Sequence, residues 1–314
     1  MARKQGWYVL RMVLLWVTLL ACIPVIASHA FGAGRFSRAQ PAPVGPKAYY
    51  LALGDSLAFG YQPNWNWAGG YASDFARDLT TRGTRNYVNL GCPDENSFTM
   101  INGGCPYELL HKSVYLGPQL DAAVNFLRAH AGQVSPVTLD IGVNDLIPDL
   151  NGATCTINPK WTSDLALAMN NFKNVILSRL IAAMTVNGQM TGDLILLNYY
   201  DPYQDKCPNT VADIQVLNQG LATAAAGRAT MVDVFSAFAA PVNAVAALSA
   251  PLVAAAVTPV SSTRPDPAPV NAPAPVPASN ICAYTWMCSS FRDVHPNSTG
   301  YSVIASTIEH TVNY

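Results

Sequence analysis

The stretch AYYLALGDSLAFG (residues 48–60) begins as an apolar run and turns abruptly polar at Gly54, Asp55 and Ser56. Glycine, aspartate and serine are ordinary turn residues, so the simplest interpretation is a buried strand that ends in a turn. The other interpretation is that the strand presents the Ser56 hydroxyl as a nucleophile. The tripeptide alone favours the turn, and the rest of the chain has to decide between the two.

Short apolar runs alternate with helical patterns along the chain. The runs cover residues 48–56, 86–92, 137–145, 193–202 and 229–235. Apolar residues at helical spacing lie between and after them, at 71–83, 118–132, 164–184, 211–227 and 302–314. Apolar strands that alternate with helices are typical of a parallel sheet covered on both faces. The sequence therefore predicts an α/β protein.

Composition limits the classes of partner. The chain has 314 residues, of which 50 % are hydrophobic and 12 % charged, and its net charge is −1. The charged fraction is well below the roughly 25 % of ordinary soluble domains. Without an excess of either charge there is no electrostatic case for nucleic acid or for an anionic membrane.

The N-terminus has the pattern of a secretory signal. Arg3, Lys4 and Arg11 precede an apolar run over residues 12–27, and SHA at 28–30 offers small residues for cleavage. This pattern predicts a signal peptide over residues 1–30. The alternative is an uncleaved N-terminal membrane anchor, because the run is almost long enough to span a bilayer.

The predicted mature chain has a linker and one large domain. Residues 31–46 form a linker rich in Gly, Ala and Pro, and residues 47–314 form the domain. Residues 240–280 interrupt the domain with an Ala-rich half, which could form a helical hairpin, and a Pro-rich half. Such an insertion is either a lid or a neutral surface loop, and the proline content favours the loop.

Six cysteines remain outside the signal, an even number that predicts three disulfides in an exported protein. Short loops favour Cys92–Cys105 and Cys282–Cys288, which leaves Cys155–Cys207, although six cysteines allow 15 connectivities. No CxxC occurs and no histidine has ligand spacing, so no metal site is expected.

Polar clusters follow three of the predicted strands, and a fourth precedes the last predicted helix. They lie at residues 54–56, 92–97, 142–145 and 292–301. Because ligands of parallel α/β sheets bind beyond the carboxyl ends of the strands, the clusters predict a site there.

The residue types in these clusters suit acyl transfer. A serine hydroxyl becomes a good nucleophile when a neighbouring base takes its proton. His295 is the candidate base, because it lies in a polar loop beside Asp293 whereas the other histidines lie in the signal or in or near helical patterns. The Asn144 amide, at a predicted strand end, could donate to a tetrahedral oxyanion.

Three motifs carry a resemblance to a known family. GDSL at 54–57, GVND at 142–145 and HPNSTGY at 295–301 stand in the family's order, with the cluster at 92–97 in the place of its second block. The chain thus resembles the GDSL, or SGNH, hydrolases, which are secreted or periplasmic esterases and lipases. The resemblance implies a three-layer α/β/α flavodoxin-like fold with a five-stranded parallel sheet. It also implies that Ser56 is the nucleophile, His295 the base and Asn144 an oxyanion-hole donor.

The chain departs from the family's pattern at two positions. Asp94 aligns with a glycine whose backbone N–H joins the oxyanion hole, and a carboxylate there could disfavour an oxyanion. Arg292 stands where the family has an aspartate three residues before the histidine. We expect Asp293 to orient the imidazole instead, the alternative being a backbone carbonyl near Arg292 in a Ser–His dyad.

The resemblance implies a secreted serine esterase or lipase that acts on carboxylic esters. The N–H groups of Ser56 and Asp94 would hold the oxyanion with the Asn144 amide, and neither a metal nor an organic cofactor is implied. We expect a monomer that binds small-molecule or lipid esters and no nucleic acid. Aromatic residues at 61–70 and 282–288 would either line an acyl site or pack beside the disulfides.

Two alternatives to this function stay open. One is a carbohydrate O-acetylesterase in which Trp65 and Trp67 stack on sugar rings. The other is a catalytically inactive exported binding protein of the same fold, for which the two departures are the only support.

Overall fold

Five parallel strands form the central sheet, one from each apolar run of the sequence. The computed structural model describes residues 42–239 and 279–314. The strands are β1 (Tyr49–Gly54), β2 (Asn86–Asn89), β3 (Val134–Asp140), β4 (Leu194–Leu197) and β5 (Thr230–Val232). Their order in the sheet is β2-β1-β3-β4-β5, and every neighbouring pair is parallel. The predicted flavodoxin-like sheet is confirmed.

Helices pack on the sheet in two groups. They are α1 (Ser56–Phe59), α2 (Tyr71–Thr80), α3 (Ser97–Asn102), α4 (Gln119–Ala129), α5 (Trp161–Asn170), α6 (Leu177–Met184), α7 (Thr210–Ala225), α8 (Val234–Ala239), α9 (Ile281–Tyr284) and α10 (Ser298–Val312). Helix α2 packs against α10, whereas α4 packs against α6 and α5 against α7. This grouping is that of an α/β/α sandwich, which places the carboxyl ends of all five strands at one edge of the sheet.

Several bounds differ from the sequence-based expectation. The helix expected at 164–184 begins at Trp161, and a π-helical turn at Asn171–Ile176 joins α5 to α6. The third strand begins at Val134, three residues earlier than expected. Helix α3 was not predicted, although Asn96 and Thr99 form a capping box at its start.

Some expectations lie outside the described residues. These are the signal peptide, residues 31–41 of the linker, and the insertion except for its last two residues. Among the helices that the structure describes, none is both long and apolar enough to cross a membrane.

Candidate active site

Ser56 lies where β1 turns into α1, at the carboxyl edge of the sheet. The turn needs a glycine before it: Gly54 has a φ of +135°, and a Cβ at this position would collide with the backbone carbonyl of Asp140. The serine side chain is only 8 % exposed. The sequence therefore fixes a sharp, buried turn that presents the Ser56 hydroxyl to the site.

The buried carboxyl groups of Asp55 and Asp140 stabilise this turn. The Asp55 carboxylate accepts hydrogen bonds from the Leu57 N–H and the Tyr199 hydroxyl, each at 2.8 Å. Asp140, which ends β3, accepts from the Asp55 N–H at 3.2 Å and from the Tyr71 hydroxyl. Burial, and then the neighbouring Asp55 charge, raise the pKa of Asp140 well above its ordinary value. Asp55 is thus part of the turn, as the sequence analysis expected.

His295 connects Ser56 to Asp293. The His295 Nε2 atom lies 2.8 Å from Ser56 Oγ, and Nδ1 lies 2.7 Å from Asp293 Oδ1. The same carboxylate oxygen accepts the backbone N–H of His295 at 2.9 Å. Burial alone would raise the pKa of Asp293, but the hydrogen bonds and charge of His295 outweigh it and hold this pKa below its ordinary value. Asp293 is therefore an ionised partner for the imidazole.

A turn of the chain at Arg292 places Asp293, two residues before the histidine, against the imidazole. Arg292 has a φ of +49°, in the left-handed region, and its N–H donates to the carbonyl of Ser289 at 3.2 Å. Asp293 then follows with its side chain on the histidine. The structure brings Asp293 and not a backbone carbonyl to Nδ1, whereas the Arg292 side chain is exposed.

The segment 282–288 supports the histidine loop rather than lining the site. The Trp286 N–H donates to the His295 carbonyl at 3.0 Å, and the disulfide Cys282–Cys288 closes the segment. Asn297 caps α10 by accepting the Gly300 N–H at 3.0 Å. Of the two interpretations of this aromatic segment, packing beside the disulfide fits the structure.

Both remaining oxyanion-hole candidates face the same cleft as Ser56. Asp94 is exposed, and its φ of +68° lies in the left-handed region that favours glycine, which explains the glycine expected at this position. Its backbone N–H and that of Ser56 donate to no backbone carbonyl of the described chain. Asn144 Nδ2 donates to the Glu95 carbonyl at 2.9 Å. This bond holds the Asn144 amide beside the loop that carries Asp94.

A second contact joins the loops that carry Asp94 and Asn144. Asp145 accepts the Ser97 N–H at 2.8 Å and the Ser97 hydroxyl at 2.6 Å. Asn171, in the π-helical turn, donates to the same hydroxyl at 3.0 Å. Donors held in this way need little reorganisation when charge develops on a substrate oxygen.

The three disulfides close loops that carry or adjoin the site. Cys92–Cys105 spans the Asp94 loop, Cys282–Cys288 braces the histidine loop, and Cys155–Cys207 joins the segment after Asn144 to the one after β4. These are the pairs that the short-loop argument favours. His111 lies near Cys92 and Cys105. The sulfur atoms of these two cysteines are bonded to each other, so they offer no thiolate to a metal.

The cleft has a volume of about 610 Å³ and walls that are mainly apolar. One wall is aromatic, with Tyr61, Trp65 and Trp67; the Tyr61 ring lies 4.6 Å from the His295 ring, and the two tryptophan rings are 5.0 Å apart. The other lining side chains include the aliphatic residues Leu109, Leu110, Val143 and Ile147. Such a cleft suits an ester with an apolar group.

Sequence reasoning missed two buried side chains behind the site. Gln119 accepts the Gly54 N–H at 2.7 Å and donates both to the Gly54 carbonyl at 2.9 Å and to Glu95 Oε2 at 3.0 Å. Burial raises the pKa of Glu95 to about 7. The position of Glu95 within the cluster at 92–97 was a signal, whereas nothing in the sequence marks Gln119.

We predict that replacing Glu95 with glutamine stabilises the protein at high pH. Because the folded-state pKa of Glu95 lies above its unfolded value, its contribution to stability is full below the unfolded pKa and is lost as pH rises through about 7. The loss amounts to about 3 kcal/mol. Urea unfolding of the Glu95→Gln variant and wild type should coincide near about pH 4 and differ by that amount near about pH 8.

Asp205→Asn is the control for this prediction, because Asp205 is exposed. It should show no such divergence between the two pH values. A Glu95→Gln variant that is equally destabilised at both would contradict the predicted titration.

A parallel sheet of this order, with a hydroxyl, an imidazole and a carboxylate in hydrogen-bond contact at its carboxyl edge, is an arrangement found in α/β/α hydrolases. The chain belongs to the GDSL-like lipase/acylhydrolase family, whose sequence profile matches residues 52–303. It is therefore a carboxylic ester hydrolase. This membership favours an enzyme over the inactive binding protein.

Several solved structures are similar to this chain at low sequence identity. A lipase from a goat rumen metagenome is 14 % identical, covers 84 % of this chain and 96 % of its own, and has a TM-score of 0.52. An α/β hydrolase enzyme from the metagenome of Lake Arreo, Spain, is 16 % identical, with coverages of 86 and 97 % and a TM-score of 0.48. An acetylxylan esterase from Geobacillus stearothermophilus is 15 % identical, with coverages of 86 and 96 % and a TM-score of 0.47. Among curated proteins, no sequence matches the chain.

Proposed function

We propose that the protein is an exported serine esterase or lipase that cleaves carboxylic esters of apolar acyl groups through an acyl-enzyme. The observation that carries the proposal is the continuous contact from Ser56 Oγ to His295 Nε2 at 2.8 Å and from His295 Nδ1 to Asp293 Oδ1 at 2.7 Å. A nucleophile, its base and a group that orients the base are the parts that acyl transfer needs.

In the first step Ser56 Oγ forms a bond to the ester carbonyl carbon while its proton passes to His295 Nε2. The carbonyl π electrons move to oxygen and give a tetrahedral oxyanion. Asp293 keeps the Nδ1–H directed away from the serine and stabilises the imidazolium. The N–H groups of Ser56 and Asp94 and the Asn144 amide would donate to the oxyanion.

Collapse of this intermediate breaks the bond to the alcohol oxygen, which takes the proton from His295 Nε2 as it leaves. A water molecule then attacks the acyl carbon while His295 takes its proton, and a second tetrahedral intermediate forms. Its collapse releases the carboxylic acid and returns the proton to Ser56 Oγ. The residues end in their initial states, so the cycle needs no co-reactant besides water.

The apolar walls favour an acyl chain as the group that enters the cleft. A second candidate function is carbohydrate O-acetyl ester hydrolysis, which is favoured by the exposed Trp65 beside Trp67, because indole rings can stack on sugars. In the first function the walls of the cleft would bind an acyl chain, and in the second they would bind a sugar ring.

A substrate panel tests the proposal. The full chain is assayed on p-nitrophenyl esters from acetyl to dodecanoyl and on acetylated xylo-oligosaccharides, beside labelling with a fluorophosphonate. We expect labelling and a kcat/KM that rises with acyl length until the cleft is filled. A preference for the acetylated sugars would favour the second candidate, and a folded protein without label or turnover would contradict both.

Asn144→Ala should lower kcat on the preferred p-nitrophenyl ester on the order of 10²–10³-fold with little change in KM, because the amide would donate mainly to the oxyanion of the transition state. Asn171→Ala, which removes a donor to Ser97 but none to the oxyanion, is the control and should lose far less. Near-full turnover by Asn144→Ala would contradict its role.

Export is part of the proposal. Three disulfides among the described residues fit an oxidising compartment, and residues 1–30 have the pattern of a signal peptide. We predict that a secreting bacterial host releases a chain that begins at Phe31. This chain consists of the linker, residues 31–46, and the domain from residue 47. Mass spectrometry of the released chain tests this; a full-length chain in the membrane fraction would support the anchor instead.

A further inference from the structure

Large apolar side chains face solvent on two loops that also contribute residues to the cleft. Among residues 42–239 and 279–314, the most exposed large hydrophobic side chains are those of Leu109, Leu116, Val114 and Trp65, at 100, 93, 89 and 77 %. Tyr107 is about half exposed. We call these five residues the rim. Single exposed apolar residues are common, but the four most exposed of them lie on just two loops, which is typical of an interaction surface.

The two loops of the rim adjoin each other and the cleft. Trp65, Tyr107 and Leu109 line the cleft as well as its mouth. Lys112 Nζ donates to the Gly69 carbonyl at 3.4 Å, which joins the loop at 105–117 to the end of the loop at 61–69. The rim is therefore continuous with the substrate-binding surface.

The loop at 105–117 is fixed in place. Its Ser113 N–H donates to the Asn89 carbonyl and its Ser113 hydroxyl accepts the Asn89 N–H, each at 3.1 Å, and Asn89 ends β2 at the carboxyl edge of the sheet. The rings of His111 and Tyr115 stack at 3.9 Å, and Cys105 is bonded to Cys92. The exposed valine and leucine on either side of Tyr115 are thus held outward by the fold.

The rim has no excess of positive charge. Glu108 and Lys112 lie in the same loop and have opposite charges, the exposed Asp94 lines the same cleft, and the chain as a whole carries −1. A surface with a tryptophan and protruding aliphatic side chains but no cationic cluster suits an uncharged or zwitterionic lipid–water interface. An anionic membrane or an acidic protein would call for basic residues here.

We propose that the rim docks the enzyme on an uncharged or zwitterionic lipid surface, so that the cleft takes its ester from aggregated lipid rather than only from solution. This inference rests on the proposed ester-hydrolase function. Insertion of Val114, Leu116 and Leu109 into the lipid would remove apolar surface of both the protein and the lipid from water. Trp65, Tyr107 and Leu109, which also line the cleft, would then lie against the acyl chains.

The test uses the full chain and tributyrin, assayed below and above its solubility limit. Wild type should hydrolyse droplets about tenfold faster than dissolved ester. The Val114→Ser/Leu116→Ser double variant should lose about tenfold on droplets and keep its rate on dissolved ester, since neither side chain lines the cleft. Leu167→Ser, on α5 and 56 % exposed, is the matched control and should lose neither rate.

The outcomes distinguish a failure of the proposed lipid docking from a failure of the proposed ester hydrolysis. No hydrolysis of dissolved ester by wild type would contradict the proposed function. Hydrolysis of dissolved ester with no selective loss on droplets in the double variant would overturn the inference alone. Every variant is produced in the same way and has the same N-terminus, so a difference between their droplet rates comes from the substituted residues.

Two further measurements test which partner binds the rim. The droplet rate should change little between about 0.05 and 0.5 M salt, and a steep fall would mean attraction to anionic lipid. Sedimentation should give the same mass for wild type and double variant. A wild-type dimer that the double variant dissociates would make the rim a contact between copies and would overturn the lipid surface.

Discussion

Ser56→Ala should lower kcat on p-nitrophenyl esters by about 10⁴-fold or more while KM stays within a few-fold. The variant keeps the turn, because Gly54 and the buried Asp55 and Asp140 carboxyls form it without the hydroxyl. It loses only the atom that would bond to the acyl carbon. Initial rates of purified wild type and variant, with thermal unfolding of both, measure the effect.

The variant should also fail to react with a fluorophosphonate, and peptide mapping of labelled wild type should find the adduct on Ser56. Ser298→Ala is the matched control, since Ser298 lies in the histidine segment and its hydroxyl donates to Gln62 Oε1 at 3.4 Å rather than to His295. It should retain label and turnover. A Ser56→Ala variant that unfolds like wild type and still turns over at a comparable rate would exclude Ser56 as the nucleophile.

The positions of the three principal candidates could be predicted because they depend on local sequence. Ser56 and Asn144 lie two and four residues beyond the ends of strands with clear apolar runs, and parallel strands bring their carboxyl ends together. His295 precedes a well-capped helix. The left-handed backbone of Asp94 also follows from the glycine that the family has there. Local pattern and strand order were sufficient for these residues.

The supporting contacts could not be predicted because they join distant parts of the chain. Gln119 contacts Gly54 across 65 residues, and Tyr199 contacts Asp55 across 144. Neither residue type is unusual at a helix start or after a strand. The early start of β3 is also hard to predict: Pro136 has no N–H to donate within the sheet, which argues against a central strand, yet β3 runs through this residue, and its pairing with β1 shifts register there.

Asp293→Asn should lower kcat on the order of 10²–10⁴-fold with little effect on KM. Asparagine can still accept the His295 backbone N–H, so the loop should keep its shape. It cannot stabilise an imidazolium, and its NH₂ group can favour the wrong tautomer of the ring. Steady-state kinetics of the variant against wild type, over a range of pH, measure both effects.

The split between kcat and KM separates this role from mere support of the loop. A loop that lost its shape would displace Val294 and His295 from the cleft lining and raise KM, whereas loss of the carboxylate alone should lower kcat and leave KM within a few-fold. Arg292→Ala, which changes the residue at the family's usual aspartate position and leaves Asp293 in place, should keep the wild-type kcat and KM. If Asp293→Asn lost less than about fivefold in kcat, the enzyme would work as a Ser–His dyad.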